Sequence, residues 1–200
     1  MSEIAVVVCL IALALVGALP RIFFRRGRLN GRWWLTAAPF VVAGATLAAS
    51  LAGAVRSPIG GALGEGLAWL ATGTAATGIA LVRWTLATHM RPVSLWHQAD
   101  DRPDELVTRG AYAHVRHPFY ASFLLILLAC ALALPHALTL LALVAGIVLL
   151  DRTAAREEKR LLDAFGHHYA DYMRRSGRFL PRGMSAGASG RRSALRPPVA

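Results

Sequence analysis

The stretch Leu106-Val107-Thr108-Arg109-Gly110-Ala111-Tyr112-Ala113-His114-Val115-Arg116-His117-Pro118-Phe119-Tyr120 decides how this chain is read. Titratable and aromatic residues crowd into it and then stop. From Phe119 to Leu150 there is no Asp, Glu, Lys or Arg. Polar chemistry therefore stands at the entrance of a long apolar segment. Pro is favoured at the first position of a helix, where its missing N–H costs nothing. Pro118 is thus expected to start a helix, with His117 before it and Tyr120 in its first turn.

Outward from this stretch, the 200 residues are 56% hydrophobic and only 16% charged, below the charge content of a typical soluble domain. The uncharged runs predict an all-α, polytopic membrane protein of about five spans: Ile4–Leu19, Leu35–Val55, Leu67–Val82, Phe119–Leu134 and Ala137–Leu150. The first run, at about 24 Å as a helix, is marginal for a hydrocarbon core of roughly 30 Å. Between the first two runs stand Arg21, Arg25, Arg26, Arg28 and Arg32 with no acid, which predicts a cytoplasmic loop and an outer N-terminus. The formal net charge of +11 fits anionic lipid rather than nucleic acid, because the Arg clusters flank apolar runs. Cys9 and Cys130 lie in apolar runs and are expected to be inert core residues.

Three regions follow: residues 1–82 with three spans, a part over 83–181 that holds the polar stretch, the last two spans and the segment after them, and a basic tail, 182–200, whose composition predicts disorder. The last two spans are nearly equal arms around Pro135-His136, which predicts an antiparallel hairpin. Arg152–Arg175 carries Leu161, Leu162, Phe165, Tyr169 and Met173 at helical spacing, predicting a cytoplasmic amphipathic helix. If the hairpin closes, Glu157 and Glu158 return towards Arg116, His117 and Tyr120. A basic helix start facing two carboxylates suits a zwitterion. Taken singly, Arg116 and His117 serve equally as interface markers, and Glu158 equally as a solvated partner of nearby Arg156, Lys159 and Arg160. Tyr169, Tyr172 and Phe165 are expected to pack. His114-x-x-His117 and His167-His168 lack the further ligands a metal site needs, so no metal is expected.

The ordered set Gly110-x-Tyr112, Arg116-His117-Pro118-x-Tyr120, apolar hairpin, Glu157-Glu158-x-x-Leu161-x-x-x-Phe165-Gly166-x-x-Tyr169-x-x-Tyr172 and Phe179-Leu180-Pro181 resembles the isoprenylcysteine carboxyl methyltransferase-like family of membrane methyltransferases, which includes phospholipid N-methyltransferases. The resemblance covers roughly 105–181. It implies S-adenosylmethionine as cofactor, reached from the cytosol, and a lipophilic acceptor, a lipid or small molecule, reached from the bilayer. The composition, separately, looks bacterial, and a bacterial inner membrane is expected. It also implies that Glu105, Leu106, Val107, Tyr112, His117, Pro118, Phe119, Tyr120 and Glu157 line the cofactor, with His97 and Gln98 within reach. Arg116, Glu158 and Arg152 are the implied catalytic residues, Arg156 competing with Arg152 for the acceptor. His114, His117 or Glu158 is a candidate base where the acceptor must lose a proton. Ala111 and Ser122 stand where the family commonly has Pro and Gly. The rival readings are an NADPH-dependent reductase of the sterol-reductase type, with a comparable His-Pro-x-Tyr region, and a non-catalytic membrane scaffold.

Overall fold

The computed structural model describes residues 2–18, 24–25, 28–29, 31–88 and 106–182. The expected tail from 183 onward lies outside them, as do Glu105, His97 and Gln98. The described chain is helical: α1 (Ser2–Gly17), α2 (Gly31–Leu51), α3 (Gly61–Thr88), α4 (Pro118–Ala133), α5 (Ala137–Phe165) and α6 (His167–Arg175), with a 3-10 turn at Gly110–Ala113. The exception to an all-α reading is a short antiparallel pairing of Phe24–Arg25 (β1) with Arg28–Leu29 (β2).

α4 is apolar on every side, and a helix of that kind belongs in the interior. It packs against α1, α2, α3 and α5. Phe123, Ile126, Leu127 and Cys130 on it are fully buried. Small residues let the neighbours close in: a Cβ on Gly78 of α3 would strike Ile126 and the Ser122 carbonyl, and one on Gly146 of α5 would strike Leu127. Cys9 of α1 and Cys130 of α4 are both buried and in side-chain contact with each other.

The outer faces stay apolar. Ile4, Val7, Ile11 and Leu15 form an exposed stripe on α1, and Leu141, Val144 and Val148 one on α5. Such contiguous apolar surface is what lipid covers. Threonines inside α2 and α3 satisfy themselves: Thr46, Thr72, Thr77 and Thr85 each donate to the carbonyl four residues earlier. Among the described residues, two helices are long and apolar enough to cross a membrane, over Trp34–Leu51 and Ala137–Phe165, while α1 and α4 have 16 residues each. α3 is longer than the run expected over 67–82 and takes in Glu65, Arg83 and Trp84.

Pro135-His136 links α4 to α5. The His136 ring accepts from Leu138 N, and Thr139 accepts from His136 N and donates to Leu134 O. This reciprocal cap satisfies the first orphan donors of α5. α5 then runs back along α4. The amphipathic stretch expected as one helix over 152–175 is corrected here. Its first half is an unbroken continuation of α5, because nothing between Leu150 and Phe165 interrupts a helix. The break comes at Gly166, whose φ of +54° is the left-handed region where glycine is favoured.

Candidate active site

The return of α5 sets two adjacent glutamates beside the start of α4, and the two divide the local partners between them. Pro118 opens α4, with His117 as the residue before it, and the His117 carbonyl accepts the first intrahelical bond, from Ala121 N at 2.9 Å. The Tyr120 hydroxyl donates to Glu157 Oε1 at 2.7 Å. The His117 imidazole stacks on the Tyr120 ring, 5.5 Å between centroids and 9° between planes. Its Nδ1 lies 3.5 Å from Glu157 Oε2 and its Nε2 3.4 Å from Glu158 Oε1. Glu157 keeps a quarter of its side chain exposed.

Glu158 is buried and accepts three hydrogen bonds from two guanidiniums. Its Oε1 accepts from Arg116 Nε at 2.8 Å and from Arg178 Nε at 3.2 Å, and its Oε2 accepts from Arg178 Nη2. Arg178 Nη1 also donates to Asp151 at 2.7 Å. The reading of Glu158 as a solvated partner of its own helix neighbours is therefore overturned: its partners come from 42 and 20 residues away. Burial would raise the Glu158 carboxyl, but His117, Arg178 and Arg116 outweigh it and hold it well below the usual carboxylate range. Burial would likewise lower the His117 imidazole, but Glu157 and Glu158 outweigh that and hold it above its ordinary value.

A strap closes the site from the C-terminal side. Arg116 N donates to Gly177 O at 2.8 Å, His117 N to Arg178 O at 3.1 Å, and Gly177 N to His114 O at 3.2 Å. Val115 and Gly177 thus form an isolated parallel bridge. Arg116 Nη1 donates to the Met173 carbonyl at 3.1 Å and to that of Ser176, which ties α6 to the same turn. Tyr172 donates to the Tyr112 carbonyl at 2.6 Å. Tyr169 and Tyr172 are both buried.

The remaining expected residues fall around this cluster. Val107, Pro118 and Phe119 are buried, while Leu106 and Tyr112 are half-buried. Ser122 is buried and donates to the Phe119 carbonyl at 2.7 Å. Arg152 is exposed, and at 3.6 residues per turn it stands about 140° round α5 from Glu157. Arg156 is also exposed and donates to Thr153. His114 is exposed with its ring against Trp84, 5.9 Å between centroids. The sequence reading missed Arg178, Asp151 and Ser176. The motif Phe179-Leu180-Pro181 stood directly after Arg178, yet nothing in the spacing announced a pairing with Glu158.

No curated protein sequence matches the chain. The model of the isoprenylcysteine carboxyl methyltransferase (ICMT) family matches residues 71–163. That segment takes in most of α3, all of α4 and α5 as far as Asp163, so it contains His117, Tyr120, Glu157 and Glu158. α6 and the strap lie beyond it. Over residues 71–163, a little under half of its length, the chain is similar to the isoprenylcysteine carboxyl methyltransferase family.

Proposed function

We propose that this protein transfers a methyl group from S-adenosylmethionine to a lipophilic acceptor, a lipid or an isoprenoid-like molecule, at the cytoplasmic face of a bacterial inner membrane. The observation that carries the reading is the partly open Glu157 carboxylate, fixed by Tyr120 and facing the buried His117 at the start of α4. Members of the family generally use S-adenosylmethionine, and the residues present suit it. Glu157 offers an acceptor for the ammonium or a ribose hydroxyl. His117 and the open first turn of α4 offer donors for a carboxylate.

S-adenosylmethionine, when bound, supplies a methyl carbon activated by its sulfonium. The protein's work is alignment and exclusion of water. Tyr120 holds Glu157 in one orientation. Val107 and Phe119 are buried apolar residues on either side of the Arg116-His117 turn in sequence. Arg116 and Arg178 keep Glu158 charged and occupied, so of the paired acids Glu157 faces the ligand and Glu158 holds the frame. A carboxylate acceptor needs no base. For an amine or thiol acceptor Glu158 is poorly suited, since its oxygens are already taken by two guanidiniums. In this reading five helices, α1 to α5, are set in the bilayer, with the N-terminus outside and the strap in the cytoplasm.

The test uses detergent-purified full-length protein. S-adenosylhomocysteine is expected to raise the melting temperature by mass action, and NADPH to leave it unchanged. Labelled S-adenosylmethionine incubated with a total lipid extract is then expected to yield a labelled lipophilic product. Absence of any response to S-adenosylhomocysteine, or a response to NADPH in its place, overturns the reading.

A further inference from the structure

Two buried side-chain atoms among the described residues have no hydrogen-bond partner: His117 Nε2 and the Tyr169 hydroxyl. A buried hydroxyl left unmade costs the full desolvation of the group, so such an atom calls for an explanation. Tyr169 is 1% exposed, which removes bulk water as a partner. Its ring is fixed against Tyr172, 5.8 Å between centroids, and Arg116 binds the Met173 carbonyl one helical turn further along α6. Burial and the charge of Glu158 push the Tyr169 phenol up, so it carries its proton and acts as a donor. Glu158 does not accept from it: Oε1 accepts from Arg116 and Arg178, and Oε2 from Arg178. His117 Nε2 lies 3.4 Å from the same carboxylate, close enough for charge attraction but without the geometry of a hydrogen bond. Both donors are left without a hydrogen-bond acceptor beside the same carboxylate.

We infer that Tyr169 is a ligand-binding residue, its hydroxyl donating with His117 Nε2 to a carboxylate of the bound small molecule. Under the function proposed above, on which this assignment rests, that group is the amino-acid carboxylate of the methyl donor. Tyr169 lies outside the matched family segment, on a helix that the sequence reading gave to packing alone.

Tyr169→Phe removes one oxygen and keeps the ring. In the ligand-free protein it deletes an unmet donor, so the melting temperature is expected to rise by roughly 2–4 °C. S-adenosylhomocysteine is expected to bind about tenfold more weakly to the variant. 5′-Methylthioadenosine, which lacks the amino-acid carboxylate, is expected to bind wild type and variant alike. Tyr172→Phe, which deletes a hydroxyl with a partner, is the control and is expected to lower the melting temperature. A lower melting temperature for Tyr169→Phe with unchanged affinity for S-adenosylhomocysteine overturns the assignment, since the hydroxyl then serves the protein or a fixed water. Equal weakening towards both ligands also overturns it. A wild type that ignores both ligands overturns the methyl-donor reading itself, whatever the variant does.

Discussion

At the scale of single residues, Glu157 and Glu158 are neighbours in sequence with opposite duties. Glu158→Gln leaves Arg116 and Arg178 facing a neutral amide in a buried place. Breaking a buried ion pair from one side costs on the order of 3 kcal/mol or more, so this variant should melt markedly earlier in thermal denaturation. Glu157→Gln, at a partly open position with Tyr120 as its hydroxyl donor, should fold nearly as well but lose stabilisation by S-adenosylhomocysteine. If the two variants exchange these outcomes, the division of roles is wrong. His117 adds a pH dependence. Its folded pKa is raised above the ordinary value of about 6.5, so its stabilising contribution is complete below that pH. The contribution is lost as pH rises through the raised folded value. Melting temperature should therefore decline on the alkaline side of about 6.5, and His117→Gln should flatten that decline.

At the scale of elements, the strap after α6 joins the site into one piece. Residues 176–178 form a brief parallel pairing with 114–117 and carry Arg178 to Glu158. The pairing depends on a tight approach at Gly177, where a Cβ would strike the backbone carbonyl of Leu180. A backbone atom cannot swing aside as a side chain can. Gly177→Ala should cost about 1–3 kcal/mol and loosen the strap. Faster hydrogen exchange at Arg116 N and His117 N, whose acceptors are the Gly177 and Arg178 carbonyls, would report it; unchanged exchange would count against the strap. Helix α5 teaches the complementary lesson. Its apolar half and its charged half look like separate units by composition, yet a helix ends only where something stops it, and that place is Gly166.

At the scale of the whole molecule, α4 lies inside and lipid-facing stripes lie outside, so the fold is arranged about a helix whose start is the site. The turn before α4 and the strap share one end of the bundle, and the Pro135-His136 link lies at the other. Single cysteines at the exposed positions Ala113 and Leu180, in a background with Cys9 and Cys130 replaced by Ala, should react with an impermeant maleimide from the same membrane face. A cysteine at exposed Ala137 should react from the opposite face. Labelling of Ala113→Cys and Leu180→Cys from different sides would exclude the proposed topology.

Sequence alone determined the helical class, the apolar runs, the start of α4 at Pro118 and the residue types of the cluster. These are local properties: hydropathy, proline geometry and charge bias act over a few residues. Tertiary structure alone decided that Glu158 belongs to Arg116 and Arg178, that Glu157 stays partly open, and that Tyr169 is buried without a partner. Each of those outcomes depends on which side chains converge from segments 20 to 60 residues apart. Ion pairing and desolvation act through distances of a few ångström, and only the packing of α4, α5 and α6 sets those distances.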